Sequence, residues 1–136
     1  MKSHIFLDTS AIYGYINLKD PAHNRIKNFI DNFKGRLLIT NYIFDEIITL
    51  ILYRLGHKTA STAGNILLNS PQIINYRITE NDEKEGWKLF VQRYDKEYSF
   101  TDCTSFTIMK KLNIKKCLST DKHFRQEGFE IVIQED

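Results

Sequence analysis

The chain has 136 residues, 42 % of them apolar, which is material for one hydrophobic core and too little length for two. Lys and Arg number 19 against 17 Asp and Glu, a formal net charge of +2, so bulk attraction excludes nothing and any nucleic-acid reading rests on where charge is placed. Two prolines, six glycines and two cysteines exclude a flexible linker and a disulfide framework, so residues 1–136 read as a single domain.

The chain opens Met1-Lys2-Ser3-His4, and the short apolar run Ile5-Phe6-Leu7 is too brief for the core of a signal peptide. The run is continuous rather than alternating, as expected of a strand buried on both faces of a parallel sheet. Asp8-Thr9-Ser10 then starts a helix with Ala11, Ile12 and Tyr15 on one side. Asp20-Pro21 predicts the start of a second helix, because Asp caps and Pro suits the first helical position. Its apolar residues Ile26, Phe29, Ile30 and Phe33 keep helical spacing up to Gly35.

Leu37-Leu38-Ile39 is the second predicted strand. Thr40 caps a third helix that runs to Leu55 and ends at Gly56. This helix is apolar nearly all round, so it is either central or partly covered by another subunit. A helix from Lys58 to about Leu68 follows, then a strand at Ile73-Ile74-Asn75-Tyr76. Thr79, with Asp82 and Glu83, opens a helix carrying Trp87, Phe90, Val91 and Tyr94. Ser99 or Thr101 caps another, with Phe106, Met109 and Leu112 inside. Lys116 to Ser119 and Phe129 to Ile133 complete about five strands. Strands and helices alternating in this way predict an α/β fold with a mainly parallel sheet. The most apolar stretch, Ile47 to Tyr53, is far short of a membrane span, and the expectation is a cytoplasmic protein without a membrane partner. Cys103 and Cys117 read as buried thiols.

Ligands of such sheets bind beyond the C-terminal strand ends, and acids stand there. Asp8 follows the first strand and Asp121 the fourth, while Asp102 lies in the first turn of the helix after Ser99. Glu46 sits among apolar neighbours in the third helix, where an unpartnered carboxylate is costly. Each acid also has a plain reading. Asp8 and Asp102 suit helix starts, Asp121 suits the turn at Lys122-His123-Phe124, and Glu46 reaches solvent or pairs with Arg54. Together the four suggest a cluster whose mutual repulsion calls for cations, and no cationic residue adjoins Asp8 or Asp102 in sequence. All-oxygen ligands select hard ions, Mg²⁺ or Mn²⁺, and that combination suits phosphodiester hydrolysis.

Ile-Phe-Leu-Asp-Thr-Ser at 5–10, the glutamate after the second strand, Ser-Phe-Thr-Asp-Cys at 99–103 and Ser-Thr-Asp-Lys-His-Phe at 119–124 resemble PIN-domain proteins, and most of all VapC-type toxins. The resemblance spans nearly the whole chain. It implies a three-layer fold with a five-stranded parallel sheet between helices, and an Mg²⁺- or Mn²⁺-dependent endoribonuclease site at Asp8, Glu46, Asp102 and Asp121. Asp8 and Asp102 would be the principal metal ligands, with Glu46 and Asp121 binding directly or through water. Thr9, Ser10, Ser99 and Thr101 would hold the carboxylates by hydrogen bonds, a role compatible with plain capping. Asp45 adjoins Glu46; Glu46 is preferred because the family's acid here is normally glutamate.

Lys122, His123 and Arg125 are the nearest candidates for gripping substrate phosphate, with an ordinary solvated surface equally good. Tyr13, Tyr15, Tyr42 and Tyr53 read as packing residues ahead of base-stacking ones. The apolar third helix suggests self-association, and the resemblance points to a homodimer, an RNA substrate and a cognate antitoxin. Two other readings are a phosphatase or phosphoryl-transfer domain of haloacid-dehalogenase type, which needs an Asp where Ser10 stands, and a non-enzymatic response-regulator-like module, which needs an Asp after the third strand.

Overall fold

The structure is a computed structural model and describes residues 4–133. Among these, β1 (His4–Leu7) leads into α1 (Thr9–Ile16) and α2 (His23–Asn32), and β2 (Arg36–Thr40) into α3 (Asn41–Leu55) and α4 (His57–Asn69). Then come β3 (Ile73–Tyr76), α5 (Glu80–Gln92), α6 (Phe100–Lys111), β4 (Lys116–Leu118), α7 (His123–Gln126) and β5 (Glu130–Ile131).

All strand pairs are parallel, in the order β3-β2-β1-β4-β5. The unbroken apolar strands explain this arrangement, because a strand covered on both faces has no polar side to alternate with. In β1, Ile5 and Leu7 share a face with Leu37, and Leu7 and Leu37 meet α1, α2 and α4 through Ile12, Ile30 and Leu67. Phe6 points the other way, onto Phe124 of α7, which in turn packs edge-on against Phe106 of α6. The sheet therefore lies between two helical layers. Chain order runs outward from β1 to β3, then restarts on the other side of β1 with β4. That reversal opens a crevice between the C-terminal ends of β1 and β4, where ligands of such sheets bind.

Local signals account for most element bounds. The Thr40 hydroxyl accepts from Ile43 N at 3.1 Å to cap α3, and Thr79–Asp82 and Ser99–Asp102 form reciprocal capping boxes on α5 and α6. Ser99, rather than Thr101, is thus the cap of α6. Gly56 separates α3 from α4 at a φ of 97°, a conformation that an L side chain rarely adopts. Gly86 lets α5 settle on α6, since a Cβ there would meet Thr104 Cγ2 at 3.1 Å.

Three expectations are corrected. The second helix begins at His23, because Asp20 Oδ1 accepts from Ala22 N at 2.9 Å in a turn and caps no helix. That helix stops at Asn32, short of Gly35. The helix opened by Thr79 ends at Gln92, leaving Tyr94 outside it and 89 % exposed, while Gly86 and Leu89 supply the buried face. On α3, Ile43, Ile47 and Ile51 are fully buried, whereas Leu52, Tyr53 and Leu55 remain exposed. Cys103 and Cys117 are buried free thiols, and burial pushes both thiol pKa values up, Cys103 to about 11. Among the described residues no helix is long and apolar enough to cross a membrane.

Candidate active site

The β1–β4 register sets the centre of the crevice. Leu7 pairs with Leu118, and Asp8 N donates to Leu118 O at 3.1 Å, so Asp8 leaves the sheet beside the start of the loop that carries Asp121. Asp8 occupies the N-cap position of α1, yet its side chain caps nothing. Its Oδ2 instead accepts from Ser10 Oγ at 2.8 Å and Ser119 Oγ at 2.9 Å. The two hydroxyls also touch each other, at 3.1 Å. Backbone N–H groups complete the lattice: Thr120 N donates to Ser10 Oγ and Asp121 N to Ser119 Oγ. Ser119, fully buried, was not among the residues singled out from sequence. A signal was present, because Asp8-Thr9-Ser10 and Ser119-Thr120-Asp121 are the same triplet reversed.

Asp102 is held by the capping box of α6. Ser99 Oγ accepts from Asp102 N at 2.9 Å, and Asp102 Oδ2 accepts from Ser99 N at 3.0 Å. The same Oδ2 lies 3.0 Å from His123 Nδ1, which is 3.3 Å from Asp121 Oδ1. Asp121 Oδ1 also accepts from His123 N at 2.9 Å, so the turn-capping reading of Asp121 holds alongside its place in the cluster. Ligand atoms of Asp102, Asp121 and His123 all lie within 4.8 Å of one another. Glu46 lies on the exposed side of α3 but sends its carboxyl group inward, where Oε1 accepts from Thr9 Oγ1 at 2.5 Å. Asp45 is exposed.

Two of the four expected hydroxyls, on Thr9 and Ser10, therefore hold a carboxylate, whereas Ser99 holds that of Asp102 through its backbone N–H and uses its hydroxyl to accept from Asp102 N. Thr101 contributes only its carbonyl, to Thr104 Oγ1. The basic trio divides. His123 turns into the acids, while Lys122 and Arg125 line a neighbouring cavity.

Every hydrogen bond to these four carboxylates comes from a hydroxyl, a backbone N–H or the His123 ring; none comes from a lysine or arginine among the described residues. The electrostatic result follows. Burial pushes the Asp8 carboxyl up to about 6, opposed by the Ser10 and Ser119 hydroxyls and reinforced by the charges of Asp102 and Asp121. Burial also raises Asp102, against the Ser99 backbone and His123, with Asp121 adding to the rise. Glu46 is raised by burial of its inward end and by Asp102, Asp121 and Asp45, against Thr9. A cluster that raises its own pKa values needs positive charge. Its carboxylate oxygens and one imidazole nitrogen are donors that suit a divalent cation of the Mg²⁺ or Mn²⁺ kind.

The chain is similar to known proteins in sequence and in fold. The family described as PIN domain matches residues 5–130. The 23S rRNA-specific endonuclease VapC20 of Mycobacterium tuberculosis is 31 % identical over 125 residues, covering 92 % of this chain and 95 % of that one. A VapC ribonuclease of Archaeoglobus fulgidus is 28 % identical over 124 residues, covering 87 % and 77 % respectively. The crystal structure of M. tuberculosis VapC20, described as a sarcin–ricin loop cleaving toxin, superimposes with a TM-score of 0.91 at 32 % identity, over 96 % of this chain and 99 % of that one. The acids at the β1–β4 crevice and these likenesses agree: the chain belongs to the PIN-domain family, among its VapC ribonucleases.

Proposed function

We propose that this chain is a single-domain, Mg²⁺- or Mn²⁺-dependent endoribonuclease, the cytoplasmic toxin of a toxin–antitoxin pair, with the sarcin–ricin loop of 23S rRNA as its substrate. One observation supports the reading: ligand atoms of Asp102, Asp121 and His123 lie within 4.8 Å of one another, the charges of Asp102 and Asp121 reach Asp8 and Glu46, and among the described residues no lysine or arginine hydrogen bond to these carboxylates is found. The substrate follows from the VapC20 relative, whose name specifies 23S rRNA and whose structure is described as cleaving that loop.

When bound, a divalent cation supplies positive charge to the scissile phosphate and eases deprotonation of an attacking water. The chain's own residues prepare the place. Ser10 and Ser119 aim the Asp8 carboxylate into the crevice, and the Ser99 box fixes Asp102 on the first turn of α6. Both would hold the cation. Asp121, after β4, and Glu46, on the helix after β2, would reach in from either side of β1 and orient the attacking water. In-line displacement then leaves a 5′ phosphate on one product and a 3′ hydroxyl on the other.

The chain works as a homodimer on this reading, supported by exposed Leu52, Tyr53 and Leu55 on α3 and Ile66 and Leu68 on α4, an apolar face costly to leave in water. A cognate antitoxin protein restrains it.

The test is cleavage of a synthetic sarcin–ricin stem-loop by purified protein. Cutting with Mg²⁺ or Mn²⁺, ending in a 5′ phosphate and abolished by EDTA, is the expected result. Cleavage that persists in excess EDTA overturns the mechanism, and cleavage of other RNAs but not this loop overturns the substrate.

A further inference from the structure

Sequence alone offers His123 as a grip for substrate phosphate, but the fold turns it toward the acids. Its backbone N–H donates to Asp121 Oδ1 at 2.9 Å, and its Nδ1 stands 3.0 Å from Asp102 Oδ2 and 3.3 Å from Asp121 Oδ1. The ring is held in place by its surroundings. Phe124, the next residue, is fully buried and packs on Phe6 and Phe106. Tyr98, itself buried, meets the imidazole edge-on with ring centroids 5.2 Å apart. One turn further on, Glu127 ties the end of α7 to Arg93 and Lys110. The His123 side chain is left only 18 % exposed.

A hydrogen bond uses this arrangement incompletely. One Nδ1–H satisfies a single carboxylate oxygen, yet two lie within reach, on residues whose charges oppose each other. A divalent cation among the three donors answers all of them together. Adjacent ligands of an octahedral ion, each at about 2.1 Å, stand about 3 Å apart. That is the spacing already present between Nδ1 and both oxygens.

A nitrogen in the donor set also discriminates between ions. Mg²⁺ is a hard cation that takes oxygen ligands, whereas Mn²⁺, of similar charge and geometry, accepts imidazole more readily. An imidazole fixed beside carboxylates therefore favours the transition metal.

Resting on the metal-dependent ribonuclease reading, we propose that His123 Nδ1 is a direct ligand of the cation beside Asp102, and that it gives the site a preference for Mn²⁺ over Mg²⁺. The residue thus belongs to the metal site and decides which ion the carboxylates hold.

The nitrogen can be detected on the bound ion itself. The full chain is loaded with Mn²⁺ alone, without RNA, and studied by electron spin-echo envelope modulation, which registers a ligating ¹⁴N. The chain has four histidines. His4 starts β1, at the opposite end from the crevice, His23 Nδ1 lies 2.8 Å from Gly14 O, and His57 opens α4, so a nitrogen coupling at the acids reports His123. The wild type should give that coupling, and His123→Asn, which brings an amide oxygen close to the place of Nδ1, should lose it. In metal titrations His123→Asn should weaken Mn²⁺ binding about 10-fold and leave Mg²⁺ within about 2-fold, whereas His123→Ala should weaken both. Melting temperatures of the metal-free variants check that they fold, and the wild-type spectrum does not depend on them. Bound Mn²⁺ without nitrogen coupling in the wild type overturns the proposal even where RNA is cleaved. An unaltered ratio of Mn²⁺ to Mg²⁺ affinity in folded His123→Asn overturns it too, as does a wild type that binds no Mn²⁺. Nitrogen coupling in a protein that never cleaves RNA upholds the ligand and fails the ribonuclease reading.

Discussion

Asp8, Asp82 and Glu127 are all withdrawn from solvent, with Asp8 5 % exposed and the side chains of Asp82 and Glu127 only 2 % and 5 % exposed. Their surroundings differ in one respect. Glu127 receives the Arg93 fork, Nε to Oε1 at 3.0 Å and Nη2 to Oε2 at 2.9 Å, and Lys110 Nζ at 2.9 Å. Asp82 receives Lys111 Nζ, the Tyr76 hydroxyl and the Thr79 backbone. Burial alone would raise both, but these donors pull Asp82 below its ordinary value and Glu127 down to about 2. Among the described residues Asp8 receives two hydroxyls and no lysine or arginine, and it rises to about 6. The chain supplies Arg and Lys partners to the acids that hold α5, α6 and α7 together, whereas among the described residues the acids at the crevice are held by hydroxyls, backbone N–H groups and the His123 ring. An unsatisfied charge there is a cost in stability that makes sense where a cation and substrate are to be bound.

Exchanging the two kinds of acid for their amides gives the largest contrast. Asp8→Asn and Asp102→Asn should each reduce RNA cleavage to the level seen in EDTA, while Glu127→Gln should leave the specific activity of folded protein unaltered. Stability should move the opposite way. Glu127→Gln should cost about 2–3 kcal/mol, from its depressed pKa discounted for the partly exposed Arg93 and Lys110. Asp8→Asn should stabilise the metal-free protein by about 1–3 kcal/mol at neutral pH. Urea unfolding of the three proteins checks both signs.

The pH dependence sharpens the same comparison. Asp8, raised in the folded state, contributes stability that is complete below its unfolded value and is lost as pH rises toward about 6. Glu127, lowered, contributes stability that is complete above its unfolded value and is lost as pH falls toward about 2. Metal-free protein should therefore be most stable near about pH 4 to 5. Added Mg²⁺ or Mn²⁺ should raise the melting temperature at neutral pH and lose that effect as Asp8 protonates. An optimum that ignores the Asp8→Asn change would break the account.

A smaller effect is expected one bond further out. Ser119→Ala removes a donor to Asp8 and an acceptor for Asp121 N, and should lower cleavage about 10- to 100-fold with a weakened response to metal. Thr9→Val, which frees Glu46, should cost less than that. Kinetics at several metal concentrations rank the two.

The sequence showed much of the architecture because the signals were local. Continuous apolar runs at β1 and β2, the short Ile-Ile-Asn-Tyr segment of β3 and the capping residues Thr40, Thr79 and Ser99 each act within a few residues, so their outcome does not depend on the rest of the chain. Asp20-Pro21 misled for the same reason: an Asp that satisfies a tight turn and an Asp that caps a helix look alike until the backbone chooses. Tyr94 misled because helical spacing continues past the point where packing against α6 ends.

Asp8, Asp102 and Asp121 were named from sequence because strand ends and helix starts are local features, whereas Glu46, inside α3, was named through the family resemblance. What the carboxylates face was legible in neither. Ser119 meets Asp8 only because β4 pairs with β1 in the register Leu7–Leu118, and His123 turns onto Asp102 only because Phe124 anchors α7 on Phe6 and Phe106. Residue types and their spacing decided which chemistry was on hand; long-range strand pairing and core packing decided which side chains share it, because such contacts are set by the whole fold and leave no periodicity in the chain.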